Sequence, residues 1–122
     1  MWDGLCKCFQ KAAPNSPVFN ADYFEFYVQI MPIVEAMCDG AVKAGAPREL
    51  SYRLTAAALK GAAEILLQDT SHPAVWKDRI CTPGGPTIAG IEVMEEHAVR
   101  HAMMAAVAQA FKRSKELDQG LQ

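Results

Sequence analysis

The sequence predicts an all-α protein, a bundle of about five helices, on three observations. Apolar residues recur three and four positions apart over long stretches, and no segment shows the period-two alternation of a strand. Prolines fall between those stretches, with Pro32 the one exception. Hydrophobic residues make up 51% of the 122, slightly above the share usual in soluble domains. That excess has to be enclosed by something.

Leu5 to Lys11 reads as a short amphipathic helix, ended by Ala13-Pro14-Asn15-Ser16-Pro17. A long apolar helix follows from Asp22, its expected N-cap, to Lys43, stopped by Gly45 and Pro47. Pro32 lies inside it and should kink it, because proline removes one backbone hydrogen bond and crowds the preceding turn. A second helix is expected from Pro47 to Gln68, with Leu50, Leu54, Ala57, Ala58, Gly61, Ile65 and Leu66 on one face, where the alanines and Gly61 permit close packing of a neighbouring helix. His72-Pro73 opens a helical turn through Trp76, and a Pro-Gly-Gly loop follows. Pro86 starts a helix to Glu96, since proline suits a first helical position. A final helix spans Ala98 to Leu117, with Val99, Ala102, Met103, Ala106, Ala110 and Phe111 inward. The polar tail begins at Asp118 and is expected to fray.

A chain of this length makes one domain, small for a complete two-substrate enzyme. The net charge of -2, with signs mixed along the chain, excludes the basic stripe of a nucleic-acid surface. No apolar run is long enough to span a membrane. The first residues carry neither a basic leader nor a signal-type apolar core, so the cytoplasm is the expected compartment, with the mitochondrion the alternative. Cys6, Cys8, Cys38 and Cys81 read as reduced, incidental thiols, because the Cys-x-Cys pair lacks the second pair a zinc site needs. Tyr27, Val28, Ile30, Met31, Ile33 and Val34 point nearly all round one helix. A helix apolar on all sides is normally enclosed, and so short a chain cannot enclose many. Association with a second copy is the expected solution.

The most informative stretch is Cys81-Thr82-Pro83-Gly84-Gly85-Pro86-Thr87-Ile88-Ala89-Gly90. A glycine turn opening a helix aims free N–H groups and the positive end of a helix dipole at one spot, where a small carboxylate can sit. The plainer alternative makes Thr82 and Thr87 helix caps and nothing more. His97 and His101 invite a metal reading through their i, i+4 spacing, but Glu-His-Ala-Val-Arg-His is not the His-Glu-x-x-His order of a zinc helix. Surface or interface polar groups are the expected role, and no metal site is assigned.

The surrounding segments add to this. Asp39-Gly40-Ala41-Val42-Lys43-Ala44-Gly45-Ala46-Pro47-Arg48-Glu49-Leu50, Gly61-Ala62-Ala63, Leu66-Leu67, His72-Pro73, Lys77-Asp78-Arg79-Ile80, the glycine turn and Lys112-Arg113-Ser114-Lys115-Glu116-Leu117 follow in order. In that order and spacing the run resembles the C-terminal, dimerisation domain of pyrroline-5-carboxylate reductase, the last enzyme of proline synthesis. The resemblance covers about Val34 to Leu117. It implies a helical fold like the 6-phosphogluconate-dehydrogenase C-terminal domain, interlocked as a dimer or higher oligomer. Residues 1–22 are then a divergent N-terminal helix and linker, 23–117 the dimerisation domain and 118–122 the tail.

The resemblance also implies a site. The family's turn holds the carboxylate of pyrroline-5-carboxylate or proline, so Thr82 takes the carboxylate-side hydroxyl position, and Gly84 and Gly85 form the cradle. Thr87 takes the place of the ring-nitrogen partner, a retained or vestigial catalytic position.

Three departures qualify it. Pro86 stands where many members carry Thr, Ala or Ser, and proline has no amide to donate. If that amide contacts the carboxylate, its loss weakens binding about tenfold or more, since a hydrogen bond to a charged group contributes roughly 1.5–3 kcal/mol. Phe24, Glu25, Phe26, Tyr27, Val28 and Gln29 replace the family's small Gly-Ser-Gly-Pro-Ala-Tyr lead-in near the nicotinamide. No Gly-x-Gly-x-x-Gly fingerprint occurs anywhere in the sequence, so no cofactor-binding residue is assigned. The expectation is an assembly module that binds no NAD(P)H and reduces nothing alone, pairing with itself or with full-length reductase subunits. The alternatives are a fragment of an active NAD(P)H-dependent reductase and a small-carboxylate-binding protein.

Overall fold

The computed structural model describes residues 23–120, with side chains from Gln29 onward. The expected Leu5–Lys11 helix, the Ala13–Pro17 breaker, the Asp22 cap and the Cys6-Lys7-Cys8 pair lie outside the described residues, as do the side chains of Phe24 to Val28. Five helices follow in order: α1 Tyr23–Lys43, α2 Arg48–Gln68, α3 Pro73–Ile80, α4 Pro86–Glu96 and α5 Val99–Asp118. No strand occurs among the described residues, and none of these helices is long and apolar enough to cross a membrane.

Proline punctuation sets most of the boundaries. Pro47 precedes α2, and Pro73 and Pro86 stand at the starts of α3 and α4, where the missing N–H is one that no helical carbonyl would have accepted. Gly45 takes φ 102 after α1, a left-handed conformation open to glycine at little steric cost. Its amide and that of Ala46 bond back to Val42 and Ala41 at 2.9 and 3.0 Å. The chain is thereby turned into α2 within four residues.

Two boundaries differ from the sequence reading. The short turn expected from His72 to Trp76 is a two-turn helix reaching Ile80. His72 caps it, its Nδ1 accepting from the Ala74 amide at 3.2 Å, and Lys77 and Arg79 supply positive charge to its last turn. No breaker occurs before Thr82-Pro83, so nothing ends it at Trp76. The last helix runs to Asp118, and Gly120 turns left-handed at φ 71 just beyond it.

The chain divides into two compact units. Among the described residues, one joins 23–31 with 106–120; the other is Pro32–Ala105. The division in α1 falls at Pro32, the residue that cannot bond back along its helix. In the first unit, Gln29 Nε2 donates to the Ala106 carbonyl at 3.3 Å, and Lys112 and Arg113 both pair with Glu116. In the second, Arg48 at the start of α2 pairs with Asp39 near the end of α1. These ion pairs are exposed, and such pairs contribute about 1 kcal/mol or less.

Most of the expected apolar face of α2 is open to solvent in the single chain. Leu50, Leu54 and Leu66 are 44, 56 and 48% exposed; Ala57 and Ala58 are exposed too, and only Gly61 and Ile65 of that face are half-buried. The side chains closed off from solvent are instead Ser51 and Thr55. Ser51 keeps its hydroxyl satisfied by donating to the Pro47 carbonyl at 3.0 Å. The periodicity was real, but it marks a face to be covered without saying what covers it. On α5 the expected residues are half-buried except Ala102, which is exposed. Among the described residues, Cys38 of α1 is the one buried hydrophobic side chain.

Candidate functional site

The turn between α3 and α4 is built by three residues with different tasks. Pro83 fixes φ near the value a turn's second position needs. Gly84 follows at φ 66, and the Gly85 amide donates to the Thr82 carbonyl at 3.0 Å. Proline followed by a left-handed glycine and closed by this bond is a type II turn. Gly85 has an ordinary extended backbone, φ -79 and ψ 170, so its lack of a side chain serves something else. A Cβ there would fall on the Thr82 hydroxyl oxygen and lie 3.2 Å from the Thr82 carbonyl oxygen. Gly84 supplies the conformation; Gly85 supplies the space.

Gly85 is also the N-cap of α4, and no side chain caps the helix. Its carbonyl accepts from Ala89 at 3.3 Å. Pro86 at the first position has no amide to offer, which leaves the amides of Thr87 and Ile88 at the positive end of the helix dipole. The cap role considered for Thr82 and Thr87 is not the arrangement seen: neither hydroxyl makes a hydrogen bond among the described residues. Thr82, Gly84 and Thr87 are exposed, and Gly85 is half-buried. The turn thus brings the four expected positions together at one helix end.

Lys77, one turn before Cys81, adds a positive charge the sequence reading passed over. Its ammonium pairs with Asp78 at 2.5 Å. That hydrogen bond and charge raise its pKa, with smaller contributions from Cys81 and Glu95. A second cluster lies at the α2–α3 link. The Asp69 carboxylate accepts from the Ser71 amide at 2.8 Å, and the Ser71 hydroxyl and amide together hold its pKa below the ordinary carboxylate range. The Trp76 indole nitrogen lies near enough to add to that effect, yet it is buried without a hydrogen bond of acceptable geometry. Arg79 stacks on the Trp76 ring at 4.7 Å. Only the three-dimensional arrangement joins Asp69 to Trp76, seven residues apart across a helix start.

The metal reading of His97 and His101 meets a broken helix. His97 is the C-cap of α4 with its Nδ1 3.0 Å from the Val93 carbonyl, while His101 lies on α5 beyond the break. No group of three or more His, Cys, Asp or Glu side chains suited to one ion occurs among the described residues.

Helices with outward apolar faces and a glycine turn at one helix end define a helical association domain. The chain belongs to the pyrroline-5-carboxylate reductase dimerisation family, whose sequence profile matches residues 28–117. The pyrroline-5-carboxylate reductase of Synechocystis is 43% identical over 91 residues, covering 75% of this chain and 33% of that protein. That of Arabidopsis thaliana is 45% identical over 86 residues, covering 70% and 31%. The Plasmodium falciparum pyrroline carboxylate reductase, solved with NADP bound, superposes with a TM-score of 0.69 at 32% identity, covering 72% of this chain and 36% of its own. The Coxiella burnetii pyrroline-5-carboxylate reductase gives 0.70 at 27% identity, covering 81% and 40%. The chain therefore spans about a third of the length of the curated relatives it matches.

Proposed function

We propose that this chain is an assembly unit of the pyrroline-5-carboxylate reductase type, with residues 23–117 as the association domain. Its outward apolar faces pair with a second copy of itself or with the same faces of a full-length subunit. The observation that carries this reading is the imbalance of burial: half the chain is hydrophobic, and one described hydrophobic side chain is buried. Burying a Leu side chain contributes about 1.5–3 kcal/mol, so Leu50, Leu54 and Leu66 alone offer a substantial driving force for pairing. Sedimentation equilibrium of the purified chain, alone and mixed with a full-length homologue, tests it. Dimers and mixed oligomers are expected; a monomer at micromolar concentration that ignores the homologue refutes it.

The turn supports a ligand reading of the same domain. The amides of Thr87 and Ile88, the dipole of α4 and the Thr82 hydroxyl would hold the carboxylate of pyrroline-5-carboxylate or proline. Thr87, at the second helical position, would stand beside the ring nitrogen. The described residues hold no strand and no glycine-rich strand-to-helix turn, the arrangement by which a doubly wound fold holds a dinucleotide. No hydride-transfer step is assigned to them. Calorimetry with proline tests the cradle: heat that disappears in Thr82→Ala supports it, and silence at millimolar proline removes it.

A further inference from the structure

We propose that the His97–Ala98 junction is a strained hinge whose second state is one uninterrupted helix from Pro86 to Asp118. Ala98 has φ 51, the one non-glycine residue with positive φ among those described. The side chain of an L-residue crowds its own carbonyl in that region. Helical bonding runs up to the junction and resumes just past it, with the amides of Val99, Arg100 and His101 between. The His97 amide reaches the Val93 carbonyl at 3.2 Å, Ala98 reaches Glu95 at 3.0 Å, and Ala102 already bonds to Ala98 at 3.0 Å. One residue's conformation separates two helices.

Nothing in the sequence requires the break. From Ile91 to Gln119 there is neither glycine nor proline, and alanine is the best helix former. Straightening would return Ala98 to the right-handed region and give the amides of Val99, Arg100 and His101 carbonyl partners one turn back. It would also set Glu96 and Arg100 four residues apart on one face, a favourable order. Glu96, His97 and Ala98 are all exposed, so no buried packing at the junction resists the change. Because α4 is about 16 Å long at 1.5 Å per residue, a change at Ala98 swings its far end, which carries the glycine turn. The hinge itself rests on backbone geometry and not on what the turn binds.

Relaxation-dispersion NMR on the labelled full chain tests this at the amides from Glu95 to His101. The expected result is exchange with a minor state in which Ala98 has the Cα shift of a right-handed helix. Ala98→Gly removes the strain and weakens the straight helix, so that state should fall on the order of thirtyfold or more and vanish from the profiles. Ala98→Val, which tolerates positive φ worse, should raise it while circular dichroism stays helical. Exchange unchanged in Ala98→Gly, or flat profiles in both the folded wild type and Ala98→Val, would overturn the hinge. Unfolding of Ala98→Val would overturn it too, because a junction free to straighten relieves its strain that way.

Discussion

Replacing Gly85 with alanine isolates the contact that shapes the turn. The backbone there, φ -79 and ψ 170, suits alanine, so conformation sets no penalty. Alanine is a poorer N-cap than glycine, but it also lowers the entropy of the unfolded chain, and these effects roughly cancel at under about 1 kcal/mol each. What remains is the new methyl against Thr82: it collides with the hydroxyl and lies 3.2 Å from the carbonyl oxygen and 3.5 Å from Cβ. Forcing Thr82 off its rotamer costs about 0.5–1.5 kcal/mol, and easing the carbonyl away raises the total to about 1–2 kcal/mol. In Thr82→Ala the hydroxyl is gone and the same change should cost about 1 kcal/mol less, a coupling a double-mutant cycle reads directly. Thermal melts at matched protomer concentration should show Gly85→Ala lowered by roughly 4 °C or more in the native background. Gly84→Ala serves as the control. Its φ of 66 makes its cost of about 1–2 kcal/mol independent of Thr82. Additive effects of Gly85→Ala and Thr82→Ala, within about 0.4 kcal/mol, would refute the steric account.

Leu54→Asp places a charge on the outward face of α2. Each copy should lose about 1.5–3 kcal/mol of apolar burial, shifting dimers to monomers in light scattering; an unchanged dimer would move the interface elsewhere. Asp69→Asn removes a carboxylate whose pKa is depressed by the Ser71 hydroxyl and amide. Its contribution to stability is present above the ordinary carboxylate pKa and lost as pH falls through the depressed folded value. Urea melts should therefore separate wild type from variant at pH 7, with the gap narrowing as pH falls below the ordinary carboxylate range; a constant gap counts against this. The purified chain with NADPH and pyrroline-5-carboxylate should show no oxidation at high protein concentration. Turnover would mean that hydride transfer proceeds without a dinucleotide fold among residues 23–120.

Most of the helical pattern is legible in the sequence because prolines mark it. Pro47, Pro73 and Pro86 each stand within one residue of a helix start. The type II turn is likewise readable from Pro83-Gly84, since proline and a left-handed glycine admit few other turns. The task of Gly85 is not, because it depends on where the Thr82 hydroxyl lies. Nor is the face of α2 that the single chain closes. Leu50, Leu54 and Leu66 outrank Ser51 and Thr55 on any hydropathy pattern, yet the small polar residues are the buried ones. The helix α3 runs past Trp76 to Ile80, because no breaker precedes the turn that begins after Cys81. The break between Glu96 and Ala98 is where the sequence reading puts it, but an alanine gives no sign of the positive φ that makes it.

The exposure of the leucines on α2 makes the stability of this protein a matter of how much of it there is. A chain that closes one apolar side chain among the described residues gains the rest of its core when another chain arrives, so its melting temperature should climb with protomer concentration. Below the dissociation constant each copy spends its time with leucines in water, open to chaperones and proteases. Supply of a partner would then set how long each newly made chain survives.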